Sequence, residues 1–324
     1  MNSNKPQEIK LNLFKECDEA YFLKRVKIEN IESIVLEKDF DDSEISYQDE
    51  GFQKMLTKYR LFKSDLRCLN LIENKPKIKS IEIFLDLKDE ETLKVLYQFE
   101  NLENLSIGNS LEPINYRLDV TAWKKLKSLT TNGNIEIFGL NAINLETLVV
   151  NENKKFKIGS CCNALKCLQF IASKPFAFKD FCESVNLSSL VLTQINIQSL
   201  EGLGQYKRME NLKINYCSKL TDISALEDCQ SIEVVEFESC KNIKDLTPLI
   251  KLKQLKHLKL FKCGEIPTLS FINEIPSLES IIFTETNVLD GDLRPCMRLK
   301  SAWSSTGKKH YNISVDDLPH NPHN

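Results

Sequence analysis

The chain has 324 residues, 42% of them hydrophobic and 27% charged, which suits either two average domains or one long repeat array and excludes overall disorder. Its 43 basic and 46 acidic residues leave a net charge of −3, and both signs are spread along the sequence, so the basic surplus that phosphate contacts require is missing and no nucleic-acid partner is expected. No apolar run approaches the ~18 residues of a spanning helix, so no membrane partner is expected either.

The first twenty residues, MNSNKPQEIKLNLFKECDEA, contain neither an apolar h-region nor a small-residue cleavage site, so no secretory signal is expected. The 11 cysteines are odd in number, do not fall into a compact disulfide framework, and mostly sit beside leucines in apolar runs, where a free thiol behaves as a small hydrophobe. Reduced cysteines without a signal predict a cytoplasmic location. Residues 1–75 carry a leucine pattern only in fragments, at 31–36 and 66–71, with the helix-like stretch FQKMLTKYRLFKSD between them. This region is read as an N-terminal cap with degenerate repeats, because a terminal coil must turn one face to water. Downstream, DEETLKVLYQF from Asp89 combines a capping residue with apolar spacing and predicts a true helix on the outer side.

From residue 76 a repeat takes over. Irregular copies centre on Ile81, Leu105, Leu129, Leu148, Leu168 and Leu190, and regular ones on Leu212, Val235, Leu258 and Ile281, the last four at intervals of 23. Further columns keep step: Ile214, Phe237, Leu260 and Phe283; Cys217, Cys240, Cys263 and Thr286; then Leu220, Ile243 and Ile266. A degraded copy, RLKSAWSST, brings the predicted strands to eleven, the last ending at Ala302. The array is placed at 76–305, and 306–324 is read as a C-terminal cap and polar tail that frays beyond Tyr311.

Alternation in a short strand sends Leu212 and Ile214 inwards and Asn211, Lys213 and Asn215 outwards. The chain then turns at the Cys/Thr column, which Asn134 and Asn153 occupy in earlier copies. A side chain there can bond backbone groups freed by the turn and stack as a ladder. The return limb, such as LTDISALEDC, spaces apolar residues by three and predicts 3₁₀ or irregular arcs. One coil buries too little apolar surface to offset the entropy of ordering its chain, so each coil needs its neighbours.

The frame L-x-x-L-x-L followed by L-x-D-[IL]-[ST]-x-L, here Leu220-Thr221-Asp222-Ile223-Ser224-Ala225-Leu226 and Ile243-Lys244-Asp245-Leu246-Thr247-Pro248-Leu249, resembles the leucine-rich-repeat family. The short-repeat type of bacterial internalin-like proteins and phosphatase-regulator repeats is the closest pattern. The resemblance covers about residues 76–305, is strongest from Leu187 onward, and departs from the pattern where cysteine stands for the usual asparagine. It implies an α/β solenoid: a leucine-rich-repeat horseshoe with a parallel concave sheet and an irregular, 3₁₀ or short-helical convex side. The closing stretch DGDLRPCMRLKSAWSSTGKKHYN looks like the end of uncharacterised bacterial leucine-rich-repeat proteins.

Candidate chemistry is sparse. His320 and His323 are two ligands on a terminal tail, short of a closed zinc set. Cys161, Cys162 and Cys167 match no C-x-x-C pairing and flank an apolar pair. Asp290-Gly291-Asp292 has the acids of a calcium loop but not its run of alternating oxygens or terminal Glu, and is read as a turn. No phosphate loop, G-x-S-x-G or H-E-x-x-H is present. The expectation is therefore no enzyme, no metal and no cofactor.

Outward positions are where a partner is expected. One column runs Val191, Lys213, Glu236, Lys259, Ile282 and a second runs Thr193, Asn215, Glu238, Phe261, Thr284, with Val149, Gln169 and Ile171 before them and Trp303 after. Lys213–Glu236–Lys259 reads equally as a self-satisfying charge ladder. Phe261, Ile282 and Trp303, extended by Tyr216 and His257, are apolar or aromatic where solvated positions favour polar side chains; a tail folding back over Trp303 is the competing account. An enzyme would have to draw on His257 with Glu236 and Glu238. The sequence thus predicts a monomeric, non-catalytic module that binds another protein on its concave face, read as a bacterial immunity protein occluding a toxin. The alternative is a host-directed effector or signalling scaffold on the same surface.

Overall fold

The computed structural model describes residues 7–12, 31–37, 69–70, 72, 75–83, 93–108, 115–132, 134–151, 163–171, 178 and 186–319. The chain divides into two compact units, 1–156 and 157–324.

In the first unit, β1 (Gln7–Asn12), β2 (Ile31–Glu37), β3 (Ser80–Ile83) and β4 (Asn104–Ile107) are followed by β5 (Asn115–Asp119), β6 (Ser128–Asn132), β7 (Asn134–Phe138) and β8 (Thr147–Asn151). Strands β1, β2, β3, β4, β6 and β8 pair in that order, all parallel. β5 and β7 form a separate parallel pair just past the turns. In the second unit, β9 (Cys167–Ile171), β10 (Ser189–Thr193), β11 (Asn211–Asn215), β12 (Val234–Glu238) and β13 (His257–Phe261) precede β14 (Gly264–Ile266), β15 (Ser280–Ile282), β16 (Thr286–Val288) and β17 (Ser301–Trp303). Here β9 to β13, β15 and β17 pair in parallel succession, and β14 pairs with β16.

All eleven strands expected from the repeat are present. Two more, β1 and β2, lie within the N-terminal 75 residues, and β2 coincides with the leucine fragment at 31–36. The expected helix over 52–65 lies outside the described residues, as do Asp89 and Asn153. Asn134 opens β7 just as Thr286 opens β16.

The two-residue period decides the core. Leu190, Leu212, Val235, Leu258 and Ile281, with Leu192, Ile214, Phe237, Leu260 and Phe283, are all buried, while the alternate strand positions between them, apart from Asn215, stay at least partly open. Past β12 to β15, the Cys/Thr column forms the ladder that the sequence implied. The Cys240 thiol donates to the Ile214 carbonyl of the preceding coil at 3.4 Å, Cys263 to Phe237 at 3.3 Å, and the Thr286 hydroxyl to Leu260 at 3.1 Å. Ser304 continues the column with a bond to Phe283 at 3.2 Å. Each side chain thus ties its turn to a carbonyl of the preceding coil.

The return limbs are 3₁₀ arcs: Ser224–Asp228, Thr247–Lys251, Ser270–Glu274 and Arg294–Arg298 in successive coils. An aspartate starts three of them, and the Thr268 hydroxyl starts the arc at Ser270. Asp222, Asp245 and Asp292 accept the amide two residues on, from Ser224 at 2.8 Å, Thr247 at 2.8 Å and Arg294 at 3.0 Å. A short carboxylate bonding its own backbone in this way fixes the turn into the arc.

Of the true helix expected from Asp89, the start lies outside the described residues; Leu93 is α-helical, and the chain continues as the five-residue 3₁₀ arc Lys94–Gln98. The reason is periodic: Leu93, Leu96, Phe99 and Leu102 are all buried, a strict interval of three that a 3.0-residue turn serves and a 3.6-residue turn does not.

The fraying tail is a correction. Residues 306–319 are held against the last coil: the Asn312 amide N–H bonds the Gly291 carbonyl at 2.9 Å, its side chain takes the Leu293 amide at 2.9 Å, and the Pro319 carbonyl accepts the Ala302 amide at 2.5 Å. Leu318 is buried. Gly291, with φ +66°, faces the His310 carbonyl so closely that a Cβ would stand 2.2 Å from it, so the turn in Asp290-Gly291-Asp292 requires glycine. His320 and His323 lie outside the described residues.

Candidate partner-binding face

Parallel pairing without slips turns each outward strand position into a column. Gln169, Val191, Lys213, Glu236, Lys259, Ile282 and Trp303 stand in register from β9 to β17. Two residues along, Ile171, Thr193, Asn215, Glu238 and Phe261 form the second column, and on the other flank His257, Ser280 and Ser301 form a third. In the first unit Val149 takes an equivalent outward place on β8.

The charges on this face neutralise one another. Glu236, with its side chain only 13% exposed, meets Lys213 at 2.5 Å and Lys259 at 3.7 Å. Adjacent parallel strands bring directly opposed side chains close enough for such pairs. Glu238 accepts the Tyr216 hydroxyl at 2.7 Å, and that bond pushes the Tyr216 phenol above its usual pKa. His257 uses Nδ1 on the Ser280 hydroxyl at 2.8 Å. The three groups an enzyme would have drawn on therefore face different neighbours: Glu236 the lysines, Glu238 the tyrosine, His257 the serine.

Asn215 corrects the expected outward set. It is 7% exposed and gives its amide to the Thr193 hydroxyl at 3.2 Å. Flanked in register by Thr193 and Glu238, its short side chain stays within the sheet surface and offers a partner almost nothing. Phe261 and Ile282 are half-buried, while Tyr216 and Trp303 are 48% and 42% exposed. The docked tail does not close over Trp303: it meets the strand at Ala302 through Pro319, and the Tyr311 hydroxyl accepts the Val288 amide at 3.2 Å.

One column was not visible as such in the sequence. Gln194, Tyr216, Ser239, Lys262 and Glu285 all adopt φ between 51° and 55°. Each of the first four donates its amide to the next coil, to Asn215, Glu238, Phe261 and Thr284 respectively. None is glycine or asparagine, the residues that signal this conformation, so only their place directly before the turn column marks them. They border the face, and there Lys262 pairs with Glu285 at 3.5 Å.

Parallel strands repeating every 19 to 24 residues, 3₁₀ return arcs and a side-chain ladder at the last turns define the leucine-rich-repeat fold in its short-repeat, internalin-like form. Among solved structures the chain is similar to the functional domain of InlJ from Listeria monocytogenes, described as including a cysteine ladder, at 16% identity and a TM-score of 0.50 over 71% of this chain and 55% of that one. It is also similar to the internalin InlF of the same organism, at 16% identity and a TM-score of 0.48 over 71% and 75%. The internalin InlC2, again from L. monocytogenes, matches at 15% identity and a TM-score of 0.39 over 64% and 83%. No protein-family model and no curated protein matches the sequence.

Proposed function

We propose that this chain is a non-catalytic binding module that holds a protein partner on the exposed face of its parallel sheet. The observation that carries this is the placing of Phe261, Ile282 and Trp303 on successive strands of one solvated face, beside charges already paired with each other. Inward positions are committed to the core by the repeat; outward ones are not, so apolar residues there stabilise little unless something covers them. In its finer form the proposal is a cytoplasmic immunity protein, monomeric when free, that neutralises a toxin by occlusion. Support for that comes from the likeness of residues 290–312 to the ends of bacterial repeat proteins. The cytoplasmic placement rests on the described cysteines, all of which are free thiols.

The test is co-expression with toxin-like proteins encoded beside its gene, followed by capture of the complex. Alanine at Phe261, Ile282 or Trp303 should weaken capture and abolish protection, while alanine at the buried-in-place Asn215 should change it least. Capture indifferent to all three face residues would remove the proposed surface. A complex without protection would remove the immunity role and leave the binding module standing.

A further inference from the structure

The charges of the face balance. Three lysines, Lys213, Lys259 and Lys262, stand with three glutamates, Glu236, Glu238 and Glu285, and all but Glu238 are joined in ion pairs within the face. Glu238 is engaged by the Tyr216 hydroxyl instead, and the third column, His257, Ser280 and Ser301, meets the apolar row with hydrogen-bonding side chains. Ile282 and Trp303 are separated by one strand spacing of about 4.8 Å, and Phe261 lies diagonally from Ile282 at roughly 8 Å. The three make a row on the order of 12 Å long, room for about three side chains of a crossing segment.

We infer that the segment docking on this row is uncharged and apolar. The inference rests on the proposal that the face binds a protein at all. An anionic segment would meet only lysines already paired with glutamates, and a cationic one only the Glu238 carboxylate, already engaged by the Tyr216 hydroxyl; either must give up its own hydration as well. An apolar segment breaks no pair. It covers Phe261, Ile282 and Trp303, and the paired charges and neutral hydroxyls form the ring that excludes water from the contact. With no net charge on the face, association also gains nothing from long-range attraction and should be insensitive to salt.

The two tryptophans allow a direct test on the full chain, since Trp123 is buried and Trp303 is exposed. Trp303 emission is followed while three capped ten-residue peptides are added: one neutral and rich in leucine and phenylalanine, one with four of its positions changed to lysine, one with the same four changed to glutamate. The neutral peptide should shift Trp303 emission to the blue, bind equally at low and high salt, and bind at least roughly tenfold more tightly than either charged one. Phe261→Ser and Ile282→Ser should each weaken it by about tenfold or more, and Trp303→Phe should remove the signal. Tighter binding of a charged peptide that still depends on Phe261 would overturn the inference and keep the binding face. No response to any peptide, or binding untouched by Phe261→Ser and Ile282→Ser, would overturn both.

Discussion

Thr286 carries the turn ladder into the last full coils, and its hydroxyl is the group to remove. It donates to the carbonyls of Leu260 at 3.1 Å and Thr284 at 3.2 Å, and it accepts the backbone amide of Cys263 at 3.1 Å. The residue is buried, so water does not reach the groups that a valine would strand. Thr286→Val keeps the shape and leaves the Cys263 amide without its partner, and a buried polar group left unmade costs about 1–3 kcal/mol. The carbonyls lose less, having other lone pairs. A loss of about 2 kcal/mol follows, or roughly 0.5–1 M in the urea midpoint for a chain with a slope near the upper end of the usual range. Equilibrium urea unfolding measures the midpoint, and amide hydrogen exchange at Cys263 reads the same bond locally. Thr286→Ser, which keeps the oxygen, should retain most of both. If valine proved as stable as threonine, or serine as damaging as valine, the ladder would not be acting through these hydrogen bonds.

The left-handed column predicts a gain. Ser239→Asn places a residue tolerant of φ 54° and should raise the melting temperature by an amount equivalent to about 0.5 kcal/mol, whereas the β-branched Ser239→Val should lower it; calorimetry that ranks valine above asparagine would refute this. Asp292 is held well below the usual carboxylate range by the Arg294 side chain first, then by Asn312 and the Arg294 amide. A folded pKa below the unfolded one means its contribution is fully present above the ordinary value of ~3.9 and fades only as pH falls through the lower folded value. The 306–319 segment should therefore resist limited proteolysis at mildly acidic pH and lose resistance in Asp292→Asn at neutral pH; an Asp292 carboxyl that titrates by NMR at the ordinary value would contradict it. Burial pushes the thiols of Cys240 and Cys296 up to about 12 and those of Cys229 and Cys263 up to about 11. Since the thiolate is the reactive form, mass-spectrometric mapping after alkylation near pH 8 should find these four unmodified until the chain unfolds.

Much of the molecule is legible in the residues themselves. A strand period of two and a coil period of 23 place Leu212, Val235, Leu258 and Ile281 on one inner line, and parallel pairing aligns them in register. The same periods put Lys213, Glu236 and Lys259 side by side, because a fixed repeat leaves in-register stacking as the arrangement that buries every coil. The interval of three at Leu93, Leu96, Phe99 and Leu102 was also in plain view. It suits the 3₁₀ arc that follows Leu93.

Other features belong to neighbours that no local pattern names. Asn215 reads as solvated by alternation, yet Thr193 in the preceding coil takes its amide and the sheet surface encloses it. The polar end of the chain reads as frayed, yet backbone groups of Gly291, Leu293 and Ala302 hold it, two of them through backbone partners whose bonding is independent of side-chain identity. The left-handed residues are likewise held by amide bonds to the following coil, which outweigh the conformational preference of Lys262 or Tyr216. Periodicity in the sequence determines which side chains face inwards and which columns they share. Which outward groups are used up by one another, and which stay open, is decided only when the coils stack, because that depends on distances across strands about 22 residues apart in the chain.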